Sequence, residues 1–244
     1  MKIDKEKCIA CERCYPYCPV GAIKTIDHAG EPVAEIDQEE CVECDVCRDR
    51  ARVCPVDAIY MPELNWPRSV RLYFSNPHAR HPSTDEQGRG TGEMKTNDVT
   101  GRYPRGIAGV VLEMGRPGIG TTLRDIQTVT TALGRLGVVF ESDNPVTAHM
   151  TDKKSGKINP EILNEKILSG MVEFKVEHAR LKNVLSAIKE ISESIDTVFS
   201  LDLISRVNPD GTVPTDVIVN AAGFVPRPNT KTNVGLGRPL AEES

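Results

Sequence analysis

The chain has 244 residues, 39% of them hydrophobic and 27% charged, with a net charge of −5, proportions that fit a water-soluble protein with room for one or two buried cores. Aromatic residues are only 5%, with Trp66 the single tryptophan, which leaves little for stacking nucleic-acid bases, and no apolar run approaches the ~20 residues of a membrane-spanning helix. All the net negative charge falls in residues 1–62 and the remainder is balanced, so that end excludes a nucleic-acid phosphate partner and favours a basic protein surface.

The chain reaches its first cysteine at Cys8 with no apolar signal region before it, so a cytoplasmic location is expected. All eight cysteines lie between Cys8 and Cys54. Such tight clustering in an untargeted chain points to metal binding rather than to a disulfide framework. The first run, "CIACERCYPYCPVGAI", holds Cys8, Cys11, Cys14 and Cys18 followed by Pro19. The second holds Cys41, Cys44, Cys47 and Cys54 followed by Pro55. They are an internal repeat: Cys8 and Cys41 are 33 residues apart, and "CPVGAI" and "CPVDAI" are offset by 36. Three thiolates at two-residue spacing can wrap one corner of an Fe4S4 cube, with loop N–H groups offsetting its negative charge. Zinc is the plainer alternative, but it wants two well-separated pairs and has little use for a third cysteine at the same short spacing.

Residues 1–62 resemble the bacterial-type two-cluster [4Fe–4S] ferredoxin domain, and "IKTI" and "VAEI" around "DHAGEP" suit the hairpin such domains place between their halves. In that family the fourth cysteine of each run ligates the other cluster. The resemblance therefore implies two [4Fe–4S] clusters, one on Cys8, Cys11, Cys14 and Cys54, the other on Cys41, Cys44, Cys47 and Cys18. The second run departs from the family spacing, with six residues instead of three between Cys47 and Cys54. Because Cys54 belongs to the other cube, the insertion only lengthens a path between corners, by nearly one helical turn. It carries Arg48, Arg50 and Arg52. These suit either a solvated turn with local acidic pairs or a docking contact and positive field beside a cluster.

Residues 63–105 form an irregular strap or linker, broken by Pro, Gly, Asn and Thr, with one short strand expected at "VRLYF". It orders against a partner subunit or lines a ligand site, and the "GRGTG" run, Gly88 to Gly92, gives backbone freedom for either. His78 and His81 could ligate a metal, but they lack a third ligand and are expected to face solvent.

Residues 106–220 turn regular. "GIAGVVLEM" is a strand. "TTLRDIQTVTTALGRLG" is a helix with Leu123, Ile126, Val129, Leu133 and Leu136 on one stripe and a capping box at Thr122 and Asp125. A strand at "VVFES" comes next, then a short helix capped by Asn159, a strand at "MVEFKVE", and a helix carrying Leu181, Val184, Leu185, Ile188, Ile191 and Ile195. A strand at "TVFSLDLISRV" and a hairpin strand at "TVPTDVIV" close the pattern. The order βαβ-α-βαβ predicts an α+β chain whose second domain is a ferredoxin-like α/β plait. Glycines before the first helix, with Gly118, Gly120, Thr121, Thr122 and Arg124, and Arg116 beside them, suit either an anion site or an ordinary capped helix start. His149 and His178 are isolated, and no catalytic constellation is evident. Residues 221–244 read as an extended tail or arm.

The leading expectation is an electron-transfer subunit that passes single electrons to a flavin- or metal-containing oxidoreductase of anaerobic metabolism in a hetero-oligomer. Two further readings are a redox-linked regulatory module with an ACT-like plait and a stand-alone reductase with substrate near Gly118–Arg124.

Overall fold

A computed structural model describes residues 1–85, 87, 89, 90, 101–115 and 118–225. The N-terminal part is built from β1 (Lys2–Ile3), β2 (Ile23–His28), β3 (Glu31–Ile36) and β4 (Ile59–Tyr60). β2 and β3 form the expected hairpin, in register from Ile23↔Ile36 to His28↔Glu31. β1 pairs antiparallel with β4, so the two ends of the repeat lie side by side. Met1, Ile3, Ala22, Ile23, Ala34, Ile36, Ala58 and Ile59 make a small apolar core around the cysteines.

The repeat is written in the backbone as well as the sequence. Ala10 and Glu12 have positive φ in the first run, and Glu43 and Asp45 have it at the same places in the second. Gly21, three residues after Cys18, is matched by Asp57, three after Cys54. A left-handed conformation is uncommon for residues other than glycine and persists only where the surroundings dictate it. Here it lets the cysteine loops curl tightly enough to aim their thiols inward. The inserted residues after Cys47 form a π turn, Val46–Arg50, closed by a bond from the Ala51 N–H to the Val46 carbonyl. The added length is thus taken up by one wide turn.

The connecting segment holds α1 (Ser69–Ser75), where the sequence predicts a strand at "VRLYF". Val70, Leu72 and Phe74 mimic a period of two, but the residues that are fully buried, Val70 and Phe74, stand four apart on one helix face. Trp66 donates to Glu161 across 2.8 Å, and the Leu168 N–H donates to the Ser75 hydroxyl at 2.9 Å. These bonds tie α1 and the residues just before it to the second part, while Arg68 and Arg71 bond Glu43 and Cys41 of the N-terminal part.

The second part comprises β5 (Ile107–Met114), β6 (Thr121–Thr122), α2 (Leu123–Arg135), β7 (Val139–Phe140), α3 (Pro145–Ala148), β8 (Met150–Asp152), β9 (Lys157–Ile158), β10 (Lys166–Ile167), β11 (Gly170–Glu177), α4 (His178–Ile191), β12 (Phe199–Ile204) and α5 (Asp216–Ala221). The main sheet is antiparallel, in the order β12-β5-β11-β7. α2 and α4 pack on one face, and Leu123, Ile126, Val129 and Leu133 of α2 are fully buried there. Each such burial is worth about 1.5–3 kcal/mol.

Two expected elements differ. Only Pro160–Ile162 is helical, as a 3-10 turn capped by Asn159, in the stretch that reads as a short helix, and β10 comes directly after it. The stretch "TVPTDVIV" ends in α5, not a hairpin strand, because Val219 points into the core while Val217 is exposed.

The opposite sheet face carries Val111, Glu113, Met171 and Glu173, all buried. The connecting segment covers it: the Met171 N–H donates to the Arg89 carbonyl, and Tyr103 is buried. At Gly90 a Cβ would lie 2.8 Å from the Met171 sulfur, so only glycine allows the strap to lie this close to β11. Among the described residues of the strap, Arg89, Gly90 and Tyr103 thus lie against the chain's own sheet. Gly88 and Gly92 of the glycine run, Arg116, and 226–244 of the expected tail lie outside the described residues.

Candidate metal centre

Two cavities lie among the cysteines. One is lined by Cys41, Cys44 and Cys47 of the second run together with Cys18 of the first. The other is lined by Cys8, Cys11 and Cys14 of the first run together with Cys54 of the second. The remaining lining is mostly apolar, with Ile23, Ile36 and Val42 in one and Ile3, Val56 and Ile59 in the other.

All eight thiols are free of disulfides. Backbone N–H groups point at their sulfurs in a pattern that repeats between the halves. The Ala22 N–H donates to Cys18 Sγ at 3.1 Å and the Ala58 N–H to Cys54 Sγ at 3.2 Å, while the Ala34 N–H reaches Cys8 Sγ at 3.3 Å. The Met1 amino group stands 3.9 Å from Cys41 Sγ. Burial pushes the Cys14 thiol up to about 11, with the charges of Cys11, Cys8 and Cys54 adding to it. Burial likewise pushes Cys47 up to about 12, with Cys44, Cys41 and Cys18 adding. Four thiolates in one dry pocket repel one another, so the donor set calls for a large, cationic, thiophilic core. Among the described residues no three His, Cys, Asp or Glu side chains converge as one metal ion would require. The cysteines line two pockets instead, and their all-thiolate donor set fits iron–sulfur chemistry.

The rings differ in their surroundings. Cys11 of the first is exposed, whereas Cys41, Cys44 and Cys47 of the second are all buried. Beside the second ring Glu43 is fully buried, against the Met1 amino group and against Arg68, whose Nε and Nη2 donate to one carboxylate oxygen at 2.8 and 2.6 Å. Arg71 is also buried and bonds the chain on either side of it. None of Arg68, Arg71 and Glu43 is predicted from the sequence. The "PRSVRLYF" stretch puts both arginines on one side of a helix, a signal hidden when it is read as a strand.

Of the inserted arginines, Arg48 makes a two-pronged bond to Asp45 at 2.8 and 2.7 Å, and Arg52 pairs with Asp49 at 3.4 Å. Arg50 is exposed. This is the arrangement of a solvated turn with local acidic pairs. At the glycine-rich turn, the helix-start donors are already taken. The Leu123 N–H binds the Glu165 carbonyl, the Arg124 N–H the Leu163 carbonyl, and the Asp125 N–H the Thr122 hydroxyl in a complete capping box. Thr121 pairs in β6 with β10, the Arg124 guanidinium bonds Asn164 at 2.6 Å, and Gly118 and Gly120 lie against Pro19 and Val20 of the N-terminal part. These residues make a capped helix start packed on the second ring's outer wall.

His78 is exposed, but His81 is fully buried, contrary to expectation, and its Nε2 lies 3.1 Å from Nε2 of His149. The Ser83 N–H donates to His81 Nδ1, so the neutral His81 carries its proton on Nε2 and donates it to His149. Burial first, and then His149, lowers the His81 pKa to about 4; burial lowers that of His149 too. The pair, packed on Phe74 of α1, is a structural contact.

A family model described as a 4Fe-4S dicluster domain matches residues 1–61. The N-terminal part is therefore a ferredoxin-type iron–sulfur segment. No helix among the described residues is long and apolar enough to cross a membrane. Comparison with curated proteins returns no match, and comparison with solved structures returns none.

Proposed function

We propose that the chain is an electron relay holding two [4Fe–4S] cubes, one on Cys8, Cys11, Cys14 and Cys54 and the other on Cys41, Cys44, Cys47 and Cys18, and passing single electrons to or from a partner oxidoreductase. The observation that carries this reading is the composition of the two cavity linings, each three cysteines of one run with the fourth of the other. Bound cubes supply one-electron carriage. The chain's own residues supply the thiolates, direct N–H groups at sulfur to offset negative charge, and exclude water with apolar walls.

The partner is a flavin- or metal-containing enzyme of anaerobic metabolism, engaged as a hetero-oligomer in the cytoplasm. The net negative charge of residues 1–62 favours a basic docking face on that partner. Residues 63–105 act as a strap and 106–220 as an α/β plait, with 221–244 as a tail. The neighbour order β12-β5-β11-β7, with α2 and α4 on one face, supports the plait.

The test is iron and spectroscopy on anaerobically purified full-length protein. Native chain is expected to carry about eight irons, and Cys54→Ser about four, with the survivor bound by the Cys41 run. Zinc in place of iron, or about four irons in the native chain, overturns the reading.

A further inference from the structure

The two halves of the repeat enter their cysteine loops through the same turn. In the first, the Cys8 N–H binds the Asp4 carbonyl at 3.1 Å and the Glu6 N–H binds the Asp4 carboxylate at 3.1 Å. In the second, the Cys41 N–H binds the Asp37 carbonyl at 2.9 Å and the Glu39 N–H binds the Asp37 carboxylate at 3.0 Å. The halves part company in what reaches this turn from outside. Nη1 of Arg71 donates to the carbonyls of Gln38, Glu39 and Cys41 at 3.0, 3.0 and 2.8 Å, while its Nε donates to Glu165 at 2.5 Å. Among the described residues no side chain donates to the carbonyls of Lys5, Glu6 or Cys8, which occupy the matching places in the first half.

The turn therefore forms without an arginine, as the first half demonstrates, and the added guanidinium has another consequence. Arg71 lies on α1, outside the repeat, and is only 4% exposed. It grips the backbone of a ring cysteine with one nitrogen and the second part with another. Removing it takes this donor from the carbonyls of Glu39 and Cys41 and from the Glu165 carboxylate, while the Gln38 carbonyl keeps a bond from Arg68 at 2.8 Å, and the penalty falls on the second loop alone.

We infer that Arg71 is a positioning residue that makes the second ring, and not the first, depend on docking of α1 and the second part. This rests on the two-cube reading above. The second cube is then retained only in a chain whose strap and second part are in place, while the first is indifferent to them.

The experiment is iron release to a ferrous chelator from full-length, anaerobically purified protein, in two backgrounds. Cys54→Ser holds only the second cube and Cys18→Ser only the first. Placing Arg71→Met in the Cys54→Ser chain is expected to speed release about 10–100-fold, the usual cost of losing an outer-sphere partner. The same change in the Cys18→Ser chain leaves the rate unaltered. Arg71→Lys, which keeps the charge, falls between. Ser75→Ala removes one bond between α1 and the second part without touching the turn and is expected to have a smaller effect than Arg71→Met, confined to the Cys54→Ser chain.

Equal acceleration in both backgrounds by Arg71→Met or by Ser75→Ala, or an unaltered rate for Arg71→Met in the Cys54→Ser chain, overturns the inference. Should Arg71→Met give no soluble protein, the ratio between backgrounds for Arg71→Lys decides in the same way. A native chain without about eight irons instead overturns the two-cube reading itself, so the two failures are distinguishable.

Discussion

The two cysteine rings share a sequence, a backbone and a hydrogen-bond pattern, yet one stands at the surface and the other is bedded in the rest of the chain. In the first, Ala10 fills a left-handed position; in the second the same position is Glu43, fully buried with Arg68 and the Met1 amino group around it. A duplicated motif has thus kept its ligand geometry while one copy acquired charged partners from outside the repeat. Ligand spacing dictates what a site binds, and the outer contacts dictate what that site depends on.

Glu43→Ala makes the second loop match the first at that position, and it carries the largest expected effect on stability. It takes the carboxylate from the buried Met1 amino group, while Arg68 keeps its bonds to Gln38, and breaking a buried pair by removing one partner costs about 3–5 kcal/mol. Denaturant unfolding is expected to show that loss, while Ala10→Gly in the first loop shifts the midpoint little. Similar shifts in both would erase the contrast between the rings.

A smaller effect comes from the His81–His149 contact behind α1. Both histidines are held neutral, with His81 lowered from 6.5 to about 4. The unfolded chain therefore takes up protons that the folded one refuses. The stability this contact contributes is complete above about pH 6.5 and is lost as the pH falls toward 4. For His81 alone the loss between pH 7 and pH 5 is about 2 kcal/mol. Denaturant midpoints across that range are expected to drop in the native chain and to flatten in His81→Asn; parallel slopes would show that the pair is not the source.

The smallest effect is expected on the insertion. Arg52 pairs with Asp49 in solvent, and exposed pairs contribute about 0–1 kcal/mol. Arg52→Ala should leave the melting temperature unchanged within a degree or two, whereas a drop as large as that of Glu43→Ala would mean that the π turn braces the second ring.

Much of this arrangement is legible in the sequence, and the illegible part obeys a rule. The cysteine runs, the hairpin and the α2 and α4 stripes depend on spacing within a short window, which the sequence displays directly. The α1 helix escapes because Val70, Leu72 and Phe74 alternate like a strand, and only the packing of Val70 and Phe74 against the second part overrides that period. Arg71 with Cys41 and His81 with His149 are separated by 30 and 68 positions, and nothing local marks either pair. The helix start at Thr122 displays its capping signal plainly, but whether its amides are spent is decided by Leu163 and Glu165, brought in from beyond the helix.

The exchange of Cys18 and Cys54 between cavities has a consequence for the order of events during synthesis. When the first forty residues have left the ribosome, they present three walls of one chamber and a single wall of the other. The chamber begun last is complete once Cys47 emerges, while the one begun first must wait for Cys54. A nascent chain thus has no finished receptacle to offer an iron donor until Cys47 is out, and the earlier half of the repeat is the later to close.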